Sequence, residues 1–269
     1  MNDDFYVGWS GEAPKKYSLA AKKFFFLALL ISTSIAVLFV MNQEKYIESE
    51  YEYGVLQERS GYLVQDPVWG LRIAEEGTIK TIPIVGFGKM GPGPTLSKMM
   101  EKHQLSEGTM VTLRGMLTHY QGKYLMELTE GENSLVSVGE RVMLDREIRN
   151  VGNLTLAGEI VDPKCFFGVM NPAFKAVHRS CAIRCISGGM PPLLAIRENG
   201  VFVDYFFLHD TNMKSIASEL LPFVGIPVEV SGQVGVYDDW KSITIDPEEI
   251  KIAIVPETDQ SFLAVSICN

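Results

Sequence analysis

The sequence predicts an all-β protein behind a single N-terminal transmembrane helix, with the β-rich part built from two copies of one small barrel. Three observations support this fold class. One uncharged apolar run lies near the N-terminus, and the chain after it forms short alternating stretches broken by Gly, Pro and Asp. Two of these stretches repeat each other at a fixed distance along the chain.

The composition is that of a folded protein, with 46% hydrophobic and 21% charged residues in a chain of 269. This length is sufficient for two domains, each with its own core. The net charge of −9 argues against a nucleic acid partner, because phosphate binding needs a concentrated basic surface. Four cysteines are too few for a disulfide-rich scaffold, so packing must supply most of the stability.

Residues 24–43 are predicted to span a membrane. Phe24–Met41 contains eighteen residues without a charge, and a spanning helix needs roughly 20 apolar residues. Lysines precede this run and glutamates follow it, so the positive-inside rule places residues 1–23 in the cytoplasm and the remainder outside. No small-residue cleavage motif follows the run, which favours an uncleaved anchor over a signal peptide.

The rest of the chain is predicted to divide into a polar stalk at 44–53, a first unit at 54–148, a second unit at 149–256 and a tail at 257–269. Blocks beginning at Gly108 and Gly225 share one pattern of glycines, strands and a hairpin tip. At the same offset of 117 residues, each is preceded by a predicted helix, at 96–103 and at 213–220. This order is typical of the OB-fold, a five-stranded barrel with a helix before its fourth strand.

The second unit is predicted to carry an insertion at about 164–192. Segments 60–67 and 157–164 match at an offset of 96 to 97, whereas the hairpins match at 117, so the second unit holds about 21 additional residues. This insertion contains every cysteine of the chain except Cys268, together with one histidine. We therefore expect the specific function of the protein to lie in the insertion.

Two features next to the insertion are interpreted as turns. The glycine-rich run 85–94 lacks the G-K-[ST] pattern and the strand–loop–helix frame of a phosphate-binding loop, so a strand end and a turn are predicted. Asp162–Pro163 matches Asp66–Pro67 of the first unit and is likewise assigned to turn formation. A role for Asp162 in orienting His178 is the alternative.

A helix is predicted from Pro172 to Ile186, with Asn171 as its N-cap. At about 100° per residue, one face of this helix carries four side chains: Phe174, His178, Cys181 and Cys185. Cys165, from the end of the preceding strand, would fold over the same face. Three thiolates and one imidazole, from Cys165, His178, Cys181 and Cys185, would suit a tetrahedral zinc ion, or copper(I).

Two other interpretations of these residues stay open. A disulfide from Cys165 to Cys181 or Cys185 would attach the insertion to the barrel and leave one thiol for exchange. Alternatively, the cysteines pack with Phe174 as an apolar stripe. No Ser-His-Asp or Cys-His-Asn arrangement can be argued from the sequence, which favours a binding protein over an enzyme.

The segment VDPKCFFGVMNP…HRSCAIRCISGGMPP is similar to a signature of a family of uncharacterised bacterial proteins anchored in the inner membrane. The resemblance extends over most of the chain, since FYVGW, the single span and VGFGKMG are similar as well. It implies a periplasmic location for the bulk of the chain and an association with membrane oxidoreductases. The positions that it implies as functional are Cys165, Gly168, His178, Cys181, Cys185, Gly188 and Gly189.

The expected function is that of an accessory or assembly subunit of a membrane redox or respiratory complex, with the insertion as a metal site or docking element. One alternative is a thiol–disulfide or metal-transfer protein that acts on exported partners. Another is a scaffold stabilised by a permanent disulfide. The expected partners are an integral membrane complex and the bilayer through residues 24–43, and the expected metals are zinc and copper.

Overall fold

The computed structural model describes residues 14–42, 47–198 and 201–253, together with the backbone of 266–267. The described α-helices are α1 Lys15–Asn42, α2 Gly93–His103, α3 Lys175–Ser187 and α4 Ala217–Leu220. The strands of the first half are β1 Glu50–Tyr51, β2 Gln57–Val64, β3 Gly70–Glu75, β4 Thr78–Gly86, β5 Thr109–Tyr120, β6 Lys123–Leu128 and β7 Leu135–Arg141. Those of the second half are β8 Arg149–Val161, β9 Leu193–Glu198, β10 Val201–His209, β11 Pro227–Tyr237, β12 Trp240–Ile245, β13 Lys251–Ile252 and β14 Ser266–Ile267.

Helix α1 contains the apolar run and is long and apolar enough to cross a membrane. It begins at Lys15, before the predicted span, and its side chains are exposed along its whole length rather than packed on a core. Thr33 Oγ1 donates to the carbonyl of Leu29 at 2.8 Å, which satisfies a polar group inside the apolar stretch. Gln43, the last residue of the predicted span, lies outside the described residues.

The first barrel closes with five strands. β2 pairs with β3 and β5, β3 pairs with β4, and β5 pairs with β6, all antiparallel. β4 and β6 run parallel and complete the ring, with α2 between β4 and β5. This is the OB-fold arrangement that the sequence predicts, and β7 extends it by pairing with β5.

The second barrel repeats this topology. β8 pairs with β9 and β11, β9 with β10, β11 with β12, and β10 runs parallel to β12. α4 precedes β11, as α2 precedes β5. The two barrels differ most between their first and second strands, where residues 65–69 connect β2 to β3 but residues 162–192 connect β8 to β9. The predicted insertion is therefore a helical connection between two strands of a closed barrel.

A pair of glycines supports the duplication. A Cβ atom on Gly115 of β5 would lie 2.4 Å from the carbonyl oxygen of Glu127, and one on Gly232 of β11 would lie 2.0 Å from that of Thr244. Glu127 and Thr244 are themselves separated by the 117-residue offset. Both barrels thus use a strand glycine where the backbone of the next strand comes closest.

Replacing Gly115 with alanine is expected to lower the free energy of unfolding by about 1–3 kcal/mol, because the added methyl group would overlap a backbone carbonyl. Gly139→Ala, in the exposed strand β7, is the matched control. Its Cβ would lie 3.2 Å from both Cβ and Cγ of Met110, so a shift of a few tenths of an ångström would accommodate it. Urea unfolding followed by circular dichroism measures both losses, and equal losses would contradict the close-approach explanation.

In the part of the chain that the structure describes, the hydrophobic core has three parts, two of which fill the individual barrels. The third, the inter-barrel cluster, joins three residues of the first barrel to the insertion and the second barrel. Its buried members are Val85, Tyr120, Leu125, Val161, Cys165, Phe166, Phe167, Ala173, Phe174, Cys185, Met190, Leu193, Ala195, Phe202, Tyr205, Phe207 and Trp240. Phe166 and Phe167 are fully buried in it, so the insertion belongs to the core.

The residues predicted as a stalk pack on the body from Ile47 onward. β1 pairs with β5, and Asn171 Nδ2 donates to the carbonyl of Ile47 at 2.9 Å. A strand of two residues is too short for an alternating pattern, so the sequence did not reveal it. Within the predicted tail, the described backbone of β14 pairs with β8, and Cys268 lies outside the described residues.

The predicted helix at 213–220 is shorter than expected, since α4 begins at Ala217. Asp210 explains the difference. Its carboxylate accepts from the backbone N–H groups of Asn212 and Lys214, each at 2.8 Å, and fixes a turn over the residues that would have formed the first helical turn.

Candidate metal centre

The turn after β8 brings Asp162 and Cys165 to the junction of the two barrels. Asp162 Oδ1 accepts from the backbone N–H of Lys164 at 3.1 Å, and the Asp162 carbonyl accepts from that of Phe166 at 3.0 Å. The predicted turn is helical, with Cys165–Val169 in a π-helix, and Asp162 caps it. Asp162 is completely buried, whereas its repeat counterpart Asp66 is half-buried.

Helix α3 begins three residues later than predicted. Its first residue is Lys175 rather than Pro172, and Phe174 occupies the N-cap position that was predicted for Asn171. The side chain of Phe174 has no atom that accepts a hydrogen bond. The carboxylate of Glu159 in β8 takes the place of a capping side chain and accepts from the Lys175 N–H. A carboxylate at this end of a helix is also favoured by the helix dipole.

His178, Cys181 and Cys185 are spaced three and four residues apart, so they share the side of α3 that faces Cys165. His178 is 3% exposed and Cys185 is 1% exposed, whereas Cys181 is half-buried. All three described cysteines are free thiols. Within this set, Cys181 is the member nearest to solvent.

The potential ligands fall into two overlapping groups. The ligand atoms of Cys165, His178 and Cys181, the outer group, lie within 4.8 Å of one another. Those of Asp162, Cys165 and Cys185, the inner group, meet the same limit. A tetrahedral ion with metal–ligand bonds of about 2.0–2.3 Å holds its ligand atoms roughly 3.3–3.8 Å apart, so side-chain movements of about 1 Å would place either group on an ion. The four predicted ligands thus lie in one cluster, but the structure divides them between two groups that share Cys165, and it adds Asp162.

Two buried polar atoms of the cluster have no hydrogen-bond partner among the described residues: His178 Nε2 and Asp162 Oδ2. Burial lowers the pKa of His178, with Lys89 acting in the same direction and Asp162 opposing it. The pKa of Cys165 is raised by its hydrogen bond to Cys185, by burial and by the charge of Asp162. The lowered pKa favours the neutral imidazole of His178, which is the form that binds a metal. A metal cation beside Cys165 would offset the free-energy cost of forming a buried thiolate there.

The glycine-rich run of the first barrel covers the outer group. Lys89 Nζ donates to Cys181 Sγ at 2.9 Å, and this contact is the main cause of the raised pKa of Lys89.

The glycine-rich run connects a strand, β4, to a helix, α2, so it has the strand–loop–helix frame that the sequence interpretation did not expect. Its glycines serve close backbone packing, because Gly91 N donates to the Gly188 carbonyl at 2.8 Å and a Cβ on Gly91 would lie 1.9 Å from the Gly189 carbonyl oxygen.

Lys164, the residue before Cys165, connects the insertion to the first barrel. Its ammonium group donates to Glu127 Oε1 at 3.0 Å, to the Gly86 carbonyl at 3.1 Å and to the Gly88 carbonyl. Glu127 Oε2 accepts from Tyr51 Oη at 2.6 Å, and the pKa of Tyr51 is raised by burial and by this carboxylate. The Lys164 and Glu127 side chains are each 4% exposed, so this is a buried ion pair.

No protein-family model matches the chain, and no curated protein or solved structure is significantly similar to it. The family resemblance of the cysteine signature therefore stays a prediction. The chemistry of the cluster has to be inferred from its own geometry.

Proposed function

We propose that the chain is a membrane-anchored metal-binding protein, with a zinc or copper(I) ion held by the cysteine and histidine side chains where its two barrels meet. The convergence of Cys165, His178 and Cys181 within 4.8 Å carries this proposal. An ion there would accept the lone pair of the buried His178 Nε2 and replace thiol protons at the two cysteines. Cys185, in contact with Cys165, supplies a further thiolate.

The ion would have a structural role. Cys165 belongs to the turn after β8, whereas His178, Cys181 and Cys185 belong to α3, so a shared ion would join the two parts of the insertion. Both parts also contribute to the inter-barrel cluster. Binding free energy at such a site contributes directly to the stability of the fold, and here it would stabilise the junction between the barrels.

The proposed setting is a membrane redox or respiratory complex, in which the chain is an accessory subunit on the periplasmic side of the bacterial inner membrane. Helix α1 supplies the anchor. Phe87, Met90 and Val177 are 65%, 55% and 73% exposed and flank the segments that meet at Cys181, which supports a protein partner there. Migration of the chain as a free subunit on native gels of mildly solubilised membranes would contradict this setting, as would cytoplasmic exposure of residues after α1 to protease.

A thiol-exchange function is the second candidate. It is favoured by the contact between Lys89 and the half-buried Cys181, since an ammonium group beside an accessible thiol is typical of exchange-active cysteines. Cys165 lies within reach of both Cys181 and Cys185 and would form the disulfide. This candidate and the structural-disulfide scaffold both predict a Cys165 disulfide where the metal proposal predicts bound ion.

The decisive experiment is metal analysis of the full chain, purified in detergent without chelators, together with thiol counting after denaturation. We expect bound zinc or copper in the wild type and its loss in Cys165→Ser, because Cys165 belongs to both ligand groups. Cys268→Ser, which removes the one cysteine that lies outside the insertion in the sequence, is the matched control and should retain the metal. A metal-free wild type with a disulfide at Cys165 would overturn the proposal.

A further inference from the structure

We propose that the cluster holds two divalent metal ions that share the thiolate of Cys165, with Asp162 as a ligand of the inner ion. This inference rests on the proposed metal-binding function and adds a second ion and a new ligand to it. The outer ion would be held by Cys165, His178 and Cys181. The inner ion would be held by Asp162, Cys165 and Cys185.

The overlap of the two ligand groups is the geometric basis. Cys165 Sγ is within 4.8 Å of the ligand atoms of all four other residues of the cluster, and each group alone supplies three ligands. A ligand common to two ions is compatible with the separation of about 3.5–4 Å found in two-metal sites. The inner group is completely buried, whereas the outer group includes the half-buried Cys181.

Charge supports two ions over one. With its thiols ionised, the cluster carries four negative charges, from Asp162, Cys165, Cys181 and Cys185. One divalent ion and the Lys89 ammonium group beside Cys181 would compensate three of these charges, and a second divalent ion would compensate the fourth. Lys164 cannot supply this compensation, because its ammonium group is already paired with Glu127.

Asp162 provides the independent observation. It is 0% exposed and its Oδ2 atom has no hydrogen-bond partner among the described residues, although Oδ1 already fulfils the turn role. Leaving a carboxylate oxygen buried without a partner costs free energy, so a cation is the chemically suitable occupant of the space that it faces. Asp66, at the matching position of the first barrel, is half-buried and lies in a short connection without this helical turn, so a fully buried carboxylate here is a feature of the second barrel.

The ligand set selects zinc. Zinc accepts sulfur, nitrogen and oxygen ligands in one tetrahedral site, whereas copper(I) prefers soft thiolates to a carboxylate. A carboxylate in the inner group and an imidazole in the outer group fit zinc at both positions. A water molecule or a small displacement of a neighbouring thiolate would complete the fourth coordination position of each ion.

Zinc stoichiometry of the full chain in detergent tests this proposal. After zinc loading and removal of unbound metal, native mass spectrometry should find two zinc ions in the wild type. Asp162→Asn and Cys185→Ser should each retain one, and so should His178→Ala and Cys181→Ser. Cys165→Ser should retain none. Asp66→Asn, the same change at the repeat counterpart, is the matched control and should retain two.

A variant that keeps one zinc ion has evidently folded around it, so the single-site variants control for their own folding. Cobalt(II) substitution gives a second readout, because Asp162→Asn should remove one of two sets of absorption bands. A wild type that holds one zinc ion, with Asp162→Asn unchanged from it, would overturn the two-ion proposal and leave the single metal site standing. A wild type that binds no metal would overturn the proposed function itself.

Discussion

Replacing Lys164 with methionine is expected to lower the free energy of unfolding by about 3–5 kcal/mol, the usual cost of removing one partner from a buried ion pair. The substitution would leave Glu127 charged and buried, with the Tyr51 hydroxyl as a remaining partner. It would also take the hydrogen-bond donor away from two carbonyl groups of the glycine-rich run. Urea unfolding of the full chain, followed by circular dichroism, measures the loss.

Lys80→Met is the matched control for this variant. Lys80 Nζ also pairs with a carboxylate, Glu75 Oε2 at 2.8 Å, but the two side chains are 27% and 41% exposed. An ion pair in such an exposed position contributes little to stability, so the loss from Lys80→Met should be much the smaller of the two. The double variant Glu127→Leu with Lys164→Met should recover much of the stability, because no unpaired charge remains buried. Equal losses from Lys164→Met and Lys80→Met would refute the role assigned to the buried pair.

Replacing Gly91 with alanine is expected to lower the free energy of unfolding by about 3 kcal/mol, the upper end of the usual cost of overpacking. The new methyl group would lie 1.9 Å from the Gly189 carbonyl oxygen and 2.2 Å from its carbon, and backbone atoms cannot yield as a flexible side chain does. Tryptophan fluorescence during urea unfolding would report the change, since Trp240 belongs to the inter-barrel cluster.

Gly93→Ala, two residues further along, is the control for Gly91→Ala. No heavy atom lies within 4 Å of a Cβ placed on Gly93, which is the first residue of α2. Alanine favours helix more than glycine does, so we expect a change within about 0.5 kcal/mol or a small gain. A loss comparable with that of Gly91→Ala would show that the segment tolerates no substitution, and would argue against the specific contact with Gly189.

Most of the fold follows from local sequence patterns. Strands of the barrels alternate in the sequence, and glycines such as Gly115 and Gly232 mark the places where neighbouring strands approach closely. Because these glycines recur at one offset, the duplication and the position of the insertion could be predicted as well. Helix ends were less predictable, since the start of α3 depends on Glu159, sixteen residues earlier in the chain.

The residues of the candidate site that lie on one helix could be predicted from the sequence. The contacts that the tertiary structure brings from the other barrel could not. His178, Cys181 and Cys185 follow the helical period, so their common face could be inferred. Lys89 reaches Cys181 from the other barrel, across 92 residues of sequence. The only sequence signals of this contact were the glycine-rich run 85–94 and the pair Gly188–Gly189, and nothing in a single sequence shows that these two segments pack together.

The inter-barrel cluster also bears on the history of the duplicated units. Two copies of a gene segment begin as interchangeable parts, and many proteins keep such parts separable. Here the aromatic side chains of one copy are covered by residues of the other, such as Tyr120 against Phe166 and Phe167. Recombination that exchanged one barrel alone would leave those rings without their counterpart and would therefore be destabilising.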